Sequence, residues 1–255
     1  MVIAKKRFGQ NFLVDENIIQ SIVRSLSAKP EDHFVEIGPG LAALTKPLLQ
    51  QELKVDVIEI DRDLIGRLKK LSTQFPNFTI HQQDILEFNF SELVKDNKKL
   101  RIIGNLPYNI SSPILLHCFE YINSIQDMTF MLQKEVVDRL VAEPNSKNYG
   151  RLSIITQYFC KAEKLFEVSP ESFDPPPKVT SAVFRLVPKS DRQNIDIKKL
   201  ELITQQAFGQ RRKTLRNSLS KLFSAEQLLS FGIDPMRRAE TLSLEEYCLL
   251  ATHMK

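Results

Sequence analysis

The sequence predicts an α/β chain, a parallel sheet built from strand–helix–strand units followed by a small all-helical domain. Three observations lead there. Short apolar runs, each ending in a glycine-, acid- or amide-bearing loop, recur about every 20–25 residues through the first half, the spacing of βαβ units. The 255 residues exceed one average domain. Beyond Pro188 and the polar stretch Lys189-Ser190-Asp191-Arg192 the apolar pattern turns helical. The expected division is 1–188 for the sheet domain with its N-terminal arm, and 189–255 for the helical domain.

Composition excludes several classes. Hydrophobic residues at 42% and charged residues at 26% are ordinary for a globular chain. No apolar run approaches the roughly 20 residues that cross a bilayer, so no membrane partner is expected. The start, Met1 to Arg7, is basic without the apolar centre of a signal peptide, and a cytoplasmic location is expected. Cys118, Cys160 and Cys248 are far apart in apolar surroundings, which favours buried thiols over a disulfide, a metal centre or a nucleophile. The net charge of +4 is unevenly spread: residues 185–255 carry 13 Lys and Arg against 8 Asp and Glu. Such an excess suits a polyanionic partner or a solvated face.

In order, Lys5-Lys6-Arg7-Phe8-Gly9-Gln10-Asn11-Phe12-Leu13 reads as an arm that docks its apolar residues and turns its cations outward. Asp15 opens a helix through about Leu26. Phe34 to Ile37 is a strand, Gly38-Pro39-Gly40 a turn that brings backbone close to a ligand, and a helix follows with its positive end toward that turn. No Gly-Lys-Ser/Thr follows, which excludes a P-loop; a nicotinamide site stays open, although Ala43 occupies the third glycine position of that fingerprint. The strand Val55 to Ile60 delivers Glu59, suited to ribose hydroxyls, and Asp61, suited to cap the helix Arg62 to Leu71. Phe78 to His81 delivers Asp84, suited to an exocyclic amine or to a turn cap, with Ile85 beside it to pack on a ring face.

Leu100 to Ile103 delivers Gly104-Asn105-Leu106-Pro107-Tyr108, and Ser111, Ser112 and Pro113 read as a Ser-capped helix start. The Asn105 side-chain carbonyl and the Leu106 carbonyl are two acceptors for one amino group, and Tyr108 offers a face to a flat ring. Strands are expected at Met128 to Leu132, Lys164 to Val168 and Ser181 to Val187, and helices at Lys134 to Ala142 and Leu152 to Cys160. The polar loop Asn145 to Arg151 is either a substrate entrance or a plain connection. Phe173, on the stiff loop Ser169 to Val179, either packs into the core or stacks on the ring held by Tyr108. Helices Leu200 to Phe208, Lys213 to Phe223, Ala225 to Ser230 and Leu244 to Met254 complete the chain, with Arg211, Arg212, Lys213, Arg216 and Lys221 as a phosphate-contacting cluster. The reading that fits all four loops is an S-adenosylmethionine pocket on the first three strands, with the Asn105 loop facing the activated methyl.

KKRFGQNFL (5–13), EIGPG (36–40), EID (59–61), QQDIL (82–86), GNLPYNISSPIL (104–115), FDPPPKV (173–179) and FGQRRKTLRNSL (208–219) resemble, in order, the motifs of the KsgA family of small-subunit ribosomal RNA adenine dimethyltransferases. The resemblance implies a Rossmann-like fold and transfer of two methyls from S-adenosylmethionine to N6 of each of two adjacent adenines near the 3′ end of 16S rRNA, late in assembly of the small subunit. It implies cofactor contacts from Asn11, Leu13, Gly38, Glu59, Asp84 and Asn105. It implies that Asn105, Leu106 and Tyr108 hold the target adenine with Phe173 stacked on it; no metal site and a monomer are the further expectations. The family usually carries Gly where this chain has Ala42, which points to an altered cofactor fit. A binding role in subunit assembly is the alternative from another class, and a large-subunit substrate is the alternative among methyltransferases, against which the FGQRRKTLRNSL helix argues by likeness.

Overall fold

The computed structural model describes residues 10–254, so the part of the arm formed by Lys5, Lys6, Arg7, Phe8 and Gly9 lies outside the described residues. Among the described residues nine strands form: β1 (Phe12–Leu13), β2 (His33–Ile37), β3 (Lys54–Ile58), β4 (Phe78–His81), β5 (Leu100–Asn105), β6 (Ile125–Gln133), β7 (Cys160–Val168), β8 (Phe173–Asp174) and β9 (Ser181–Pro188). Seven make one sheet in the order β4-β3-β2-β5-β6-β9-β7, while β1 and β8 make a separate antiparallel pair. From β4 to β6 every pairing is parallel, and β6 pairs antiparallel with β9. Every residue of β2 is buried, as are the first five of β5, the mark of strands covered on both faces.

Helices α1 (Glu16–Ser25), α2 (Thr45–Gln50), α3 (Arg62–Ser72) and α4 (Ser111–Glu120) connect the strands up to β6, which runs into α5 (Lys134–Leu140). Local chemistry sets two starts as expected. The Asp15 carboxylate accepts from the Asn17 and Ile18 amides at 2.9 and 3.3 Å, and that of Asp61 from the Asp63 amide at 3.1 Å. The start of α4 differs. Its cap position is Ile110, with no side-chain cap, and both serines lie inside the first turn. The Ser111 hydroxyl donates to the Tyr108 carbonyl at 3.2 Å instead, tying the helix to the loop before it.

A buried ionic cluster fastens the starts of the central strands. Arg101, 3% exposed on β5, donates to both Asp127 oxygens at 2.9 and 2.8 Å, to Asp32 at 2.7 Å and to the Leu26 carbonyl at 2.6 Å. Arg185 on β9 adds a further bond to Asp127. The guanidinium thereby joins the end of α1, the approach to β2, and β6 in one set of charge-assisted bonds.

The chain separates into two compact units: the described residues up to Val137 with Glu163–Pro188, and Asp138–Ala162 with the described residues from Lys189 onward. The expected boundary at 188 therefore misses Asp138–Ala162, a segment that groups with the helical unit. That unit holds α6 (Arg151–Phe159), α7 (Ile197–Gly209), α8 (Leu215–Ser218), α9 (Ala225–Ser230) and α10 (Leu244–His253). Helix α7 packs on both α6 and α10, which explains the grouping. Phe208 stacks on Tyr247 at 6.1 Å and meets Tyr149 edge-on at 6.3 Å. The helix expected over Lys213 to Phe223 shrinks to α8, because Asn217 and Ser220 bond back to Thr214 and to the Asn217 carbonyl in turns. Cys118, Cys160 and Cys248 are buried free thiols, and no helix among the described residues is long and apolar enough to cross a membrane.

Replacing Arg101 by Leu leaves Asp32 and Asp127 desolvated without this partner, and is expected to lower unfolding free energy by about 3–5 kcal/mol in urea titrations.

Candidate active site

Strand order reverses between β2 and β5, and the loops leaving their carboxyl ends diverge around a crevice, the place where open α/β sheets hold ligands. The two strands come very close there. A Cβ on Gly104 would stand 2.7 Å from the Ile37 carbonyl oxygen, so only glycine fits. The crevice is a cavity of about 260 Å³ lined by residues of all four loops and of the 10–13 segment.

Gly38 and Gly40 adopt left-handed backbone, with φ of +64° and +55°. Ala42 shares that conformation at φ +66°, yet it is 3% exposed, belongs to the hydrophobic core and does not line the cavity. The methyl at position 42 is therefore a matter of backbone strain, and the expected alteration of cofactor fit finds no contact to act through. Phe12 closes the other side of the turn, its ring edge 3.1 Å from where a Gly40 Cβ would be.

Glu59, just past β3, is 6% exposed and accepts from the Asp61 amide at 2.8 Å. Burial lifts its pKa above the usual carboxylate range, against the Asp61, Gly40 and Ile60 amides that pull it down. Asp84 lines the cavity and also caps a short turn, accepting from the Leu86 amide at 3.0 Å. On the same two loops Ile60 and Leu86 stay 49% and 40% exposed and line the cavity, as does buried Ile85. A flat heterocycle with ribose hydroxyls fits two acceptors flanked by exposed apolar side chains. Sequence reasoning missed Glu36, whose signal was an acid in an otherwise apolar strand. It lines the cavity, accepts from the Thr45 hydroxyl, and is pushed up to about 7 by burial and by nearby Glu59.

Asn105 ends β5, and its Nδ2 donates to the Asn11 carbonyl at 2.9 Å. Because that carbonyl can only accept, the orientation of the amide is fixed and Oδ1 remains an acceptor. Leu106 lines the cavity, its amide held by the Met131 carbonyl at 3.1 Å. Tyr108 is half-buried on the cavity wall, with its hydroxyl 2.6 Å from Ser181 Oγ. Asn11, Leu13, Gly38, Glu59, Asp84, Asn105, Leu106 and Tyr108 thus come together around one crevice. Phe173 does not join them, a correction to the expected stacking role. It pairs with Leu13 across β1 and β8, is 3% exposed and packs in the core beside Leu13 and Val183. The Asn145 to Arg151 loop also lies off the cavity: Arg211 donates to the Lys147 and Tyr149 carbonyls at 2.6 and 3.3 Å, making the loop a structural connection of the helical unit.

A largely parallel sheet with a pocket at the switch point and an amide-bearing loop on the next strand defines a nucleotide-cofactor transferase of the Rossmann-like methyltransferase class. The chain belongs to the ribosomal RNA adenine dimethylase family, whose description matches residues 1–255, and its methyl donor is S-adenosylmethionine. It is 53% identical over 255 residues to the ribosomal RNA small subunit methyltransferase A of Escherichia coli O139:H28, covering 99% of this chain and 93% of that one, and equally to that of Shigella flexneri. Among solved structures it is similar to a dimethyladenosine transferase from Plasmodium falciparum, at TM-score 0.82, 26% identity and 94% and 95% coverage. The 23S rRNA methyltransferase ErmE shares the fold at TM-score 0.71, 24% identity and 95% and 98% coverage.

Two outcomes are expected. Ala42→Gly relieves left-handed strain and should stabilise the chain by about 0.5–1 kcal/mol after the entropy of a freer unfolded chain is subtracted. For Glu36, the unfolded carboxyl ionises near 4.5 and the folded one only near 7. The folded state holds the extra proton between those values and loses stability as pH rises through them. Glu36→Gln should therefore raise the unfolding free energy read from urea titrations at pH 8 by up to about 3 kcal/mol and leave it nearly unchanged at pH 4.

Proposed function

We propose that this chain transfers two methyls to N6 of each of two adjacent adenosines near the 3′ end of 16S rRNA in the small ribosomal subunit. It does so in the cytoplasm, as a monomer, late in assembly of that subunit. The observation that supports the reading is the Asn105 carboxamide: with Nδ2 committed to Asn11, Oδ1 is left as the acceptor of a residue that lines the crevice together with Glu59 and Asp84.

When bound, S-adenosylmethionine supplies a methyl on a sulfonium, whose C–S bond breaks as the new C–N bond forms, so no covalent enzyme intermediate is required. Glu59 and Asp84 orient the adenosine half of the donor, and Ile60 and Leu86 cover its ring faces. Asn105 Oδ1 and the Leu106 carbonyl accept from the target amino group. Two acceptors on one NH2 favour the tetrahedral nitrogen of the transition state over the planar ground state, which is differential stabilisation. Pro107 lacks an N–H and leaves the acceptor corner free of a competing donor. Tyr108 supplies the stacking face, worth about 1–3 kcal/mol per base. No side chain is needed as base, because the methylated nitrogen is strongly acidic and loses its proton to water.

The helical unit supplies phosphate contact in this reading. Arg212, Lys213, Arg216 and Lys221 are exposed, whereas Arg211 is engaged by loop carbonyls within that unit.

Mass analysis of the 3′ fragment of small-subunit rRNA after incubation with the protein and donor should show four added methyls; an unmodified fragment overturns the reading. Asn105→Ala should keep donor affinity within about tenfold while methyl transfer falls by about a hundredfold or more, as expected for an acceptor that acts in the transition state. Equal losses in both would remove Asn105 from that role.

A further inference from the structure

We propose that Ser181 is a positioning residue for methyl transfer, its hydroxyl holding the Tyr108 ring in the orientation that receives the target base. The proposal rests on the reading above of the crevice as an aminopurine site.

Ser181 is fully buried and is the first residue of β9, paired with Gln133 at the end of β6. The residue before it, Thr180, accepts from the Lys134 amide at 2.9 Å, so the strand is fixed where Ser181 begins it. Tyr108 has the opposite setting. It sits in the turn between β5 and α4, where a tyrosine ordinarily swings about its two side-chain torsions. One bond steadies the turn and a second limits the torsions. The Ser111 hydroxyl takes the Tyr108 carbonyl at 3.2 Å, and Ser181 Oγ meets the phenol at 2.6 Å, at the far end of the ring. The ring is thus clamped at backbone and tip, with the cavity on one side.

Stacking alone needs only a phenyl ring. A phenol at position 108 has a purpose because a serine without a partner, buried at the start of β9, would carry an unmet polar group. A flat platform contributes its stacking energy only in one orientation, so a tilt of the ring moves the base and misaligns the amine with the methyl. The contact joins residues 73 apart in sequence, and ties the β5 loop to the antiparallel half of the sheet.

The test is a double-mutant cycle in the full chain, with small-subunit RNA and the methyl donor. Ser181→Ala and Tyr108→Phe should each lower kcat by about three- to tenfold, the range of one lost neutral hydrogen bond, with donor affinity within about twofold of the parent. The double variant should be no slower than the slower single within about twofold, because both changes cut the same bond. Ser181→Thr, which keeps the hydroxyl, should restore most of the rate. In 13C-tyrosine NMR without RNA, the Tyr108 ring resonance should move in Ser181→Ala. Multiplying losses in the double variant, parental kcat in Ser181→Ala, or an unmoved Tyr108 resonance would each overturn the proposal. If the parent protein leaves the RNA unmethylated, the functional reading falls, while the resonance still decides whether Ser181 holds the ring.

Discussion

The closeness of two strand ends governs this molecule. At Gly104 the chain leaves β5 so near the Ile37 carbonyl of β2 that no side-chain carbon fits between them. That contact sets Asn105 beside the Gly38–Gly40 turn, although the sequence separates them by more than sixty residues. Two molecules can react only where their reacting atoms are brought together, and a sheet that switches direction between β2 and β5 supplies adjacent loops for that as a property of topology. The segment 10–13 completes the enclosure by three separate ties. The Asn11 carbonyl takes the Asn105 amide, Gln10 donates to Asp61 at 3.1 Å, and β1 pairs with β8.

The crevice is unusually rich in desolvated acid. Glu36 and Glu59 are both buried on its wall, and each is held above the ordinary carboxylate range, Glu36 partly by repulsion from Glu59. A cation entering the crevice would favour the ionised form of both acids. Glu59 is further restrained by backbone amides from its own loop and from Gly40, so this acid on the cavity wall also braces the glycine turn.

Much of this was legible along the chain because the signals are local. The Asp15 and Asp61 caps, the strand runs and the strand-end acids follow from side chains acting on their near neighbours, and Glu59, Asp84 and Asn105 fall where alternating strands and helices must put them. What the sequence hid was pairing at a distance. The β1–β8 ribbon joins residues about 160 apart, and it decides that Phe173 belongs to the core rather than to the cavity wall. Asp138–Ala162 joins the helical unit through α6 against α7, a packing that no periodicity announces. Ser111 shows a subtler failure: a good capping residue sits one position inside the helix and spends its hydroxyl on the Tyr108 carbonyl.

Strand β5 carries two unrelated duties at its two ends. Arg101, second in the strand, sits in a knot of buried charge, while Asn105, last in the strand, faces the crevice about 13 Å further on. Changes at the rim therefore leave the anchorage of the sheet intact. The strand serves as a rigid handle, held fast at its foot by buried charge while its tip borders the crevice.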